Sequence, residues 1–163
     1  MNFNLENHVH ISFDAISINE GFARMTVAAF MSDMNPTLEQ ICDVMTAVSE
    51  AVTNAIIHGY GAGWIGQDAE SNGQSAENKS LQVEMVCSRS GNRLEIQIID
   101  QGVGIENVDQ ARAPFYTTKR EQERSGMGFA FMEAFMDELS VESELGKGTR
   151  VTMIKYIDGG NEQ

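Results

Sequence analysis

Residues 49–60 read SEAVTNAIIHGY. The run is helical in character, and its most polar members, Glu50, Asn54 and His58, follow one another at intervals of four. That interval stacks side chains along one stripe of an α-helix. Upstream, Thr37 and Gln40 make a capping pattern directly after Pro36, which predicts a helix from Thr37 to about Gly59. At about 100° per residue, Ile41, Val44, Val48, Ala51, Val52 and Ala55 gather on one side of it. Glu50 and Asn54 stand well away from the centre of that apolar cluster. They face either solvent or a pocket, and which of the two holds decides what the helix is for.

Working outward, residues 8–15 (HVHISFDA) alternate Val9, Ile11 and Phe13 with polar neighbours, a strand signal. His8 and His10 share its other face, read as solvated. Ser17 with Glu20 is a capping box that opens a first helix. Beyond the 49–60 run, residues 61–80 (GAGWIGQDAESNGQSAENKS) lack periodicity and read as a flexible surface loop, tacked down by Trp64 and Ile65. LQVEMVC (81–87) and RLEIQIID (93–100) alternate on either side of a turn, as an antiparallel hairpin does. A glycine-bearing DQGVGI follows, then PFYTTKREQERSGMGF. FAFMEAFMDEL (129–139) predicts a third helix, and SVESE, LGKG and TRVTMIKYI a strand, a turn and a strand, with a frayed tail. Helices are not interleaved one-for-one with strands. The order therefore predicts an α+β fold: a two-layer sandwich with a mixed, mainly antiparallel sheet and helices on one face.

The 163 residues suit a single domain over 1–163 with the inserted loop at about 61–80. At 42% hydrophobic and 21% charged residues the chain can build a core, which argues against wholesale disorder. Its net charge of −13 repels phosphate backbones, which disfavours nucleic acid as a partner and favours a basic protein. Cys42 and Cys87 form no CxxC pair and are read as two buried, reduced thiols. The N-terminal residues carry no signal-peptide pattern, and no apolar run is long enough to span a bilayer, so a cytoplasmic protein is expected.

Three stretches combine into one site. Gly126 and Gly128, lacking Cβ atoms, let backbone N–H groups approach phosphates at a helix start. Asp100 ends a buried strand, where a carboxylate is costly unless paired, and adenine's exocyclic amine is a suitable donor. Guanine presents an acceptor there and would be repelled. Gly102 and Gly104 let the chain pass close beneath the base. Asn54 offers a neutral oxygen that suits Mg²⁺ carrying phosphates and waters. Glu50, one turn earlier, is placed to take a proton from an attacking hydroxyl or water. No Walker A pattern and no full kinase glycine loop is present. His58 is read as a helix-end capping or packing residue.

ExxxN on a helix, DxGxG, SGMGF and the late GKGT, in order across residues 50–149, resemble the motifs of the GHKL ATPase superfamily. Its members include DNA gyrase, MutL and the sensor histidine kinases. Over nearly the whole chain, FARMTVAAF, VSEAVTNAIIHGY, PFYTTK, ERSGMGF and FMDELSVESELGKGT resemble the sporulation anti-sigma factors of endospore-forming bacteria. The resemblance implies the Bergerat fold, binding of a sporulation sigma factor, and Mg-ATP-dependent serine phosphorylation of an anti-anti-sigma protein by a homodimer. Carried over by motif, Glu50 is the catalytic base, Asn54 the Mg²⁺ ligand and Asp100 the adenine reader, with Gly104 and Thr149 beside it. Thr118, Lys119, Arg124, Gly126, Met127 and Gly128 belong to the lid and phosphate side, and Arg24 to the partner surface. The 61–80 stretch is longer than the family's usual link. Two alternatives remain at this point: an ATP-gated sigma-binding module without kinase activity, and an anti-sigma factor of the general stress response.

Overall fold

A computed structural model describes residues 5–61, 81–113 and 128–159. In chain order the elements are β1 (Glu6–Asp14), α1 (Ile18–Met31), a 3₁₀ turn (Ser32–Met34), α2 (Leu38–Asn54) and a π-helical turn (Ala55–Gly59). Then come β2 (Gln82–Ser90), β3 (Arg93–Asp100), α3 (Val108–Arg112), α4 (Gly128–Phe135), β4 (Glu138–Glu144) and β5 (Gly148–Tyr156). The strands form one sheet in the order β1-β2-β3-β5-β4. All four pairings are antiparallel. The expected mainly antiparallel sheet is thus found, without a parallel pairing among the described strands.

Period-two alternation decides which strand residues enter the core. Val83, Met85 and Cys87 of β2, Leu94, Ile96 and Ile98 of β3, and Val151 and Met153 of β5 point to one face and are buried. Against them lie Ala23, Val27 and Met31 of α1, Val44, Ala47, Val48, Ala51 and Val52 of α2, and Met132 of α4. These residues form one continuous core, with α2 packed against both α1 and α4. The other sheet face carries polar side chains such as His8, which contacts the Ser88 hydroxyl at 3.0 Å, and His10, 2.8 Å from Glu84. Both histidines are exposed, as their strand face predicted.

The Thr37–Gln40 capping box forms: the Gln40 amide donates to Thr37 Oγ1 at 3.2 Å, and the Thr37 amide to Gln40 Oε1 at 3.0 Å. The expected box at Ser17 does not. Ser17 is already in the right-handed helical region and makes no side-chain cap. Glu20, its supposed partner, instead accepts from the Ser49 hydroxyl on α2 and pairs with Arg24 at 3.1 Å. Cys42 corrects a second expectation: it is exposed on α2, offset from the apolar stripe, whereas Cys87 is buried and its thiol is pushed up to about 12 by desolvation. The third helix ends at Phe135, earlier than the apolar run suggested. The Asp137 amide donates to Ile154 O at 2.9 Å and Lys155 Nζ to Phe135 O at 2.7 Å, so pairing with β5 captures Glu138 and Leu139 into β4. The short α3 was not anticipated; Asn107 Oδ1 caps it by accepting from the Gln110 amide at 2.9 Å. The expected loop, with Trp64 and Ile65, lies outside the described residues beyond Gly61. Among the described residues no helix is long and apolar enough to cross a membrane.

Two glycines with positive φ, Gly146 in the β4–β5 turn and Gly148 at the start of β5, make unequal demands. Gly146 (φ +78) faces open space, while a Cβ on Gly148 (φ +103) would overlap the Asp100 carbonyl on β3. Gly146→Ala should therefore cost only backbone strain, about 1–2 kcal/mol. Gly148→Ala should cost roughly 3 kcal/mol or more, because β5 cannot move off β3 without losing the ladder. Urea unfolding of the two variants checks this, and equal losses would refute it.

Candidate functional site

Alternation along β3 buries residues 94, 96, 98 and then 100, so the strand that supplies core aliphatics also drives a carboxylate inward. Asp100 is 6% exposed and is the one buried charged residue among those described. It sits between Val83 of β2 and Thr149 of β5. Its Oδ1 accepts from the Gly102 amide at 2.9 Å. Burial raises the Asp100 carboxyl from 3.8 to about 6, although the backbone amides of Gly102 and Thr149 pull the other way.

The end of α2 meets this carboxylate. The Tyr60 amide donates to Ala55 O at 3.2 Å, the wider i→i−5 step of a π turn. Gly59 is thereby brought against Asp100, and a Cβ there would stand 2.7 Å from Oδ1. Gly102 in turn lies so close to the Gly59 carbonyl that no side chain fits between them. The Val103 amide donates to the same carbonyl at 2.9 Å. Gly104 (φ +74) packs over Glu144 of β4. The Ser143 hydroxyl fastens the next layer: it accepts from the Ile105 amide at 2.7 Å, donates to Gly148 O at 3.0 Å and lies 2.8 Å from Thr149 Oγ1.

These elements enclose a cavity of about 820 Å³. Asn54, His58, Asp100, Gly104, Gly128 and Thr149 line it together with Ile98, Ile105, Phe129 and Val151, and Asn107 and Gln110 at α3 form a further wall. A cavity of this size suits a small organic ligand. Asn54 touches the first turn of α4: a Cβ on Gly128 would lie 3.0 Å from Asn54 Nδ2 and 3.1 Å from Oδ1.

The structure therefore brings together Asn54, Asp100, Gly104, Gly128 and Thr149 around one cavity, with Gly102 in the loop behind it. Glu50 is half-buried, about 6 Å along the helix axis before Asn54, and is not among the lining residues. Arg24 lies on α1, paired with Glu20. Thr118, Lys119, Arg124, Gly126 and Met127 lie outside the described residues. His58, read as a helix-end residue, faces the cavity as well. Sequence reasoning missed Gly59, Tyr60 and Ser143. A glycine ending a helix looks like a terminator, and nothing local marks a serine that braces a loop 38 residues away.

The chain matches the family described as "Histidine kinase-like ATPase domain" over residues 17–155. It is 50% identical over 151 residues to the anti-sigma F factor of Clostridium acetobutylicum, covering 93% of this chain and 94% of that protein. It is 51% identical over 153 residues to the anti-sigma F factor of Clostridium kluyveri, covering 94% and 96%. It is 46% identical over 153 residues to that of Geobacillus sp., covering 94% of each. A crystal structure of the RsbU and RsbW domains of a Mycobacterium tuberculosis protein superposes with a TM-score of 0.59 at 18% identity, over 93% of this chain and about a third (32%) of that one, a likeness of fold. The chain belongs to the histidine kinase-like ATPase domain family and, within it, to the anti-sigma F factors.

Asp100 gives the ligand-free protein a measurable pH signature. Its folded value, about 6, lies above the unfolded 3.8, so its favourable contribution is complete below about pH 4 and is lost as pH rises through 6. That gap corresponds to about 3 kcal/mol. The stability of the natural chain relative to Asp100→Asn should fall by about that amount between pH 4 and pH 7 in urea unfolding. A difference that stays flat over this range would show that the carboxylate is not desolvated.

Proposed function

We propose that this member of the anti-sigma F factors binds Mg-ATP in the Asp100 cavity, holds a sporulation sigma factor, and transfers the γ-phosphoryl group to a serine of an anti-anti-sigma protein. The observation that carries the reading is the buried Asp100 carboxylate, with its strand end, π turn and glycine loop packed too closely for any side chain, facing a cavity of nucleotide size. Asp100 retains acceptor capacity for the adenine amine; Gly104 passes beneath the base and Thr149 supports the same edge. The fixed aliphatic wall of Ile98, Ile105 and Val151 gives the ring a dry surface.

The donor set fits a magnesium ion that arrives with the nucleotide. Among the described residues no group of three or more acidic, histidine or cysteine side chains could cage a metal by itself. Mg²⁺ commonly keeps one or two protein oxygens and takes the rest from phosphates and water. The Asn54 carboxamide, held against the first turn of α4, is the protein oxygen. When bound, the ion neutralises charge on the transferred phosphoryl group. In the transfer, the partner serine oxygen bonds to the γ-phosphorus, the bond to ADP breaks, and Glu50 accepts the serine proton. Thr118, Lys119, Arg124, Gly126, Met127 and Gly128 are proposed to hold the phosphates, and Arg24 to contact a partner. We further take 1–163 as one functional domain of a cytoplasmic homodimer; the exposed Ile18, Phe22 and Met25 of α1 supply an apolar stripe for association.

A second reading, an ATP-gated sigma-binding module without phosphotransfer, draws support from Glu50 standing outside the cavity lining. One experiment separates the two. The purified protein is incubated with γ-labelled ATP, Mg²⁺ and the sporulation anti-anti-sigma protein, beside Glu50→Gln. The kinase reading expects label on a partner serine and a 10²–10⁴-fold slower transfer in Glu50→Gln with ATP still bound. ATP binding without label supports the module. A companion titration follows from Asp100: protonating it weakens the bond from adenine, so ATP affinity should decline below about pH 6, at most tenfold per pH unit. Calorimetry of Glu50→Gln between pH 7 and pH 5 reads this directly, and an affinity independent of pH would remove Asp100 from the contact.

A further inference from the structure

Tyr60 has no part in the roles assigned above, yet its hydroxyl occupies an unusual place. It donates to the Gln82 carbonyl at 2.6 Å and accepts from the Gln101 amide at 2.8 Å. Both bonds have the lengths of good hydrogen bonds. The two groups it joins are not arbitrary. The β2–β3 ladder runs in register from Ser90 with Arg93 to Val83 with Asp100. One more step of that register would set Gln82 opposite Gln101, with the Gln101 amide directed at the Gln82 carbonyl. The Tyr60 hydroxyl stands between them and relays that bond.

An antiparallel ladder extends wherever the next amide and carbonyl can meet. Here they meet through a hydroxyl, so the two strands separate immediately after Asp100. Residue 101 keeps its hydrogen bond, and the chain is free to turn. The turn takes Gly102 beneath the Gly59 carbonyl and returns its amide to Asp100 Oδ1. Gly59 and Tyr60 thus grip residues 101–103 at two points: the Gly59 carbonyl takes the Val103 amide, and the Tyr60 hydroxyl takes the Gln101 amide. Both gripping residues depend on the π turn, whose wider step closes at the Tyr60 amide.

We propose that Tyr60 is a positioning residue for purine selection: its hydroxyl replaces the next rung of the β2–β3 ladder, ends β3 at Asp100, and so aims the Asp100 carboxylate and the glycine loop at the base. This rests on the nucleotide reading of the same cavity. Without the hydroxyl, Gln82 and Gln101 either pair directly, drawing the loop out of line, or lose a bond apiece. Either change reaches Asp100 through its neighbours in the chain and through the Gly102 amide. The group that discriminates between an amine and a carbonyl on the purine then loses its fixed direction. Affinity for ATP falls, and the discrimination against GTP falls with it.

The test is calorimetric titration of ATP and GTP into the natural chain and Tyr60→Phe, with Mg²⁺, together with amide exchange at Gln101 in nucleotide-free protein. Tyr60→Phe should bind ATP about 3- to 10-fold more weakly, change less towards GTP, and exchange the Gln101 amide faster. A residue that merely braces the fold would lower the melting temperature and leave the ratio of ATP to GTP affinity where it was. An unchanged ratio in folded Tyr60→Phe overturns the inference and leaves the nucleotide reading standing. Failure of the natural chain itself to bind ATP overturns the nucleotide reading, and this inference with it. If Tyr60→Phe does not fold, tetrafluorotyrosine at position 60, assayed at pH 9 so that its hydroxyl is ionised despite the burial and the nearby Asp100 charge that push the Tyr60 phenol up, keeps the ring's shape but cannot donate to Gln82. The same narrowing of the ratio is expected there, and its absence is equally decisive against the proposal.

Discussion

A carboxylate driven into the core by strand alternation is the constraint around which the rest of this molecule is arranged. Asp100 occupies the position that Leu94, Ile96 and Ile98 predict for an aliphatic side chain. Among the described residues it has no cationic partner, which leaves it only neutral donors there. Backbone amides reach it from Gly102 and Thr149, and they do not fully offset the loss of water, since its carboxyl stays near 6. Such a group is retained at a cost in stability, which is ordinary where a ligand supplies the missing donor.

Close approach follows from the same constraint. Three backbone segments converge within van der Waals distance around Asp100: the π turn at Gly59, the loop at Gly102 and the β5 start at Gly148. Each is glycine because its Cβ would fall on the Asp100 carboxylate, the Gly59 carbonyl or the Asp100 carbonyl, respectively. A mutation at any of them is felt at the carboxylate before it is felt in the aliphatic core. The π turn matters for the same reason. An α-helical continuation of α2 would rotate Gly59 and Tyr60 away from the loop by part of a turn, and the widened step turns both towards it.

Much of this was legible in the sequence because it depends on spacing within one segment. The place of Asn54 on its helix, the alternation of β1 to β3 and the Thr37–Gln40 box each carry their geometry locally. What was not legible depends on a distant partner. Ser17 and Glu20 have the right letters for a cap, but Glu20 is drawn away by Ser49 and Arg24. The run at 129–139 keeps helical hydrophobicity to its end, yet β5 recruits its last residues into a strand. Cys42 reads as a buried thiol on a helical pattern, and one step around the helix from Ile41 is enough to expose it. Ser143 and Tyr60 act across chain separations of 38 and 41 residues through single hydroxyls, which leave no periodic trace.

The charge distribution sets a division of labour within the proposed nucleotide site. The chain is acidic overall, and the described residues that line the cavity include Asp100 and Glu106 but no lysine or arginine. A polyanion would be repelled by such a lining. The base end of the cavity therefore works through shape, aliphatic contact and one directed acceptor, all built on strands and on the end of α2. The proposed site would take cations for the phosphates from elsewhere, and the sequence places Lys119, Arg120 and Arg124 close together between α3 and α4. On the proposed reading, recognition of the base and attraction of the phosphates belong to different parts of the chain. The first is fixed by close packing and insensitive to salt, and the second is electrostatic and screened by it. A ligand lacking phosphates would still meet the selective half of the site, and added salt would weaken phosphate attraction without relaxing the preference for adenine.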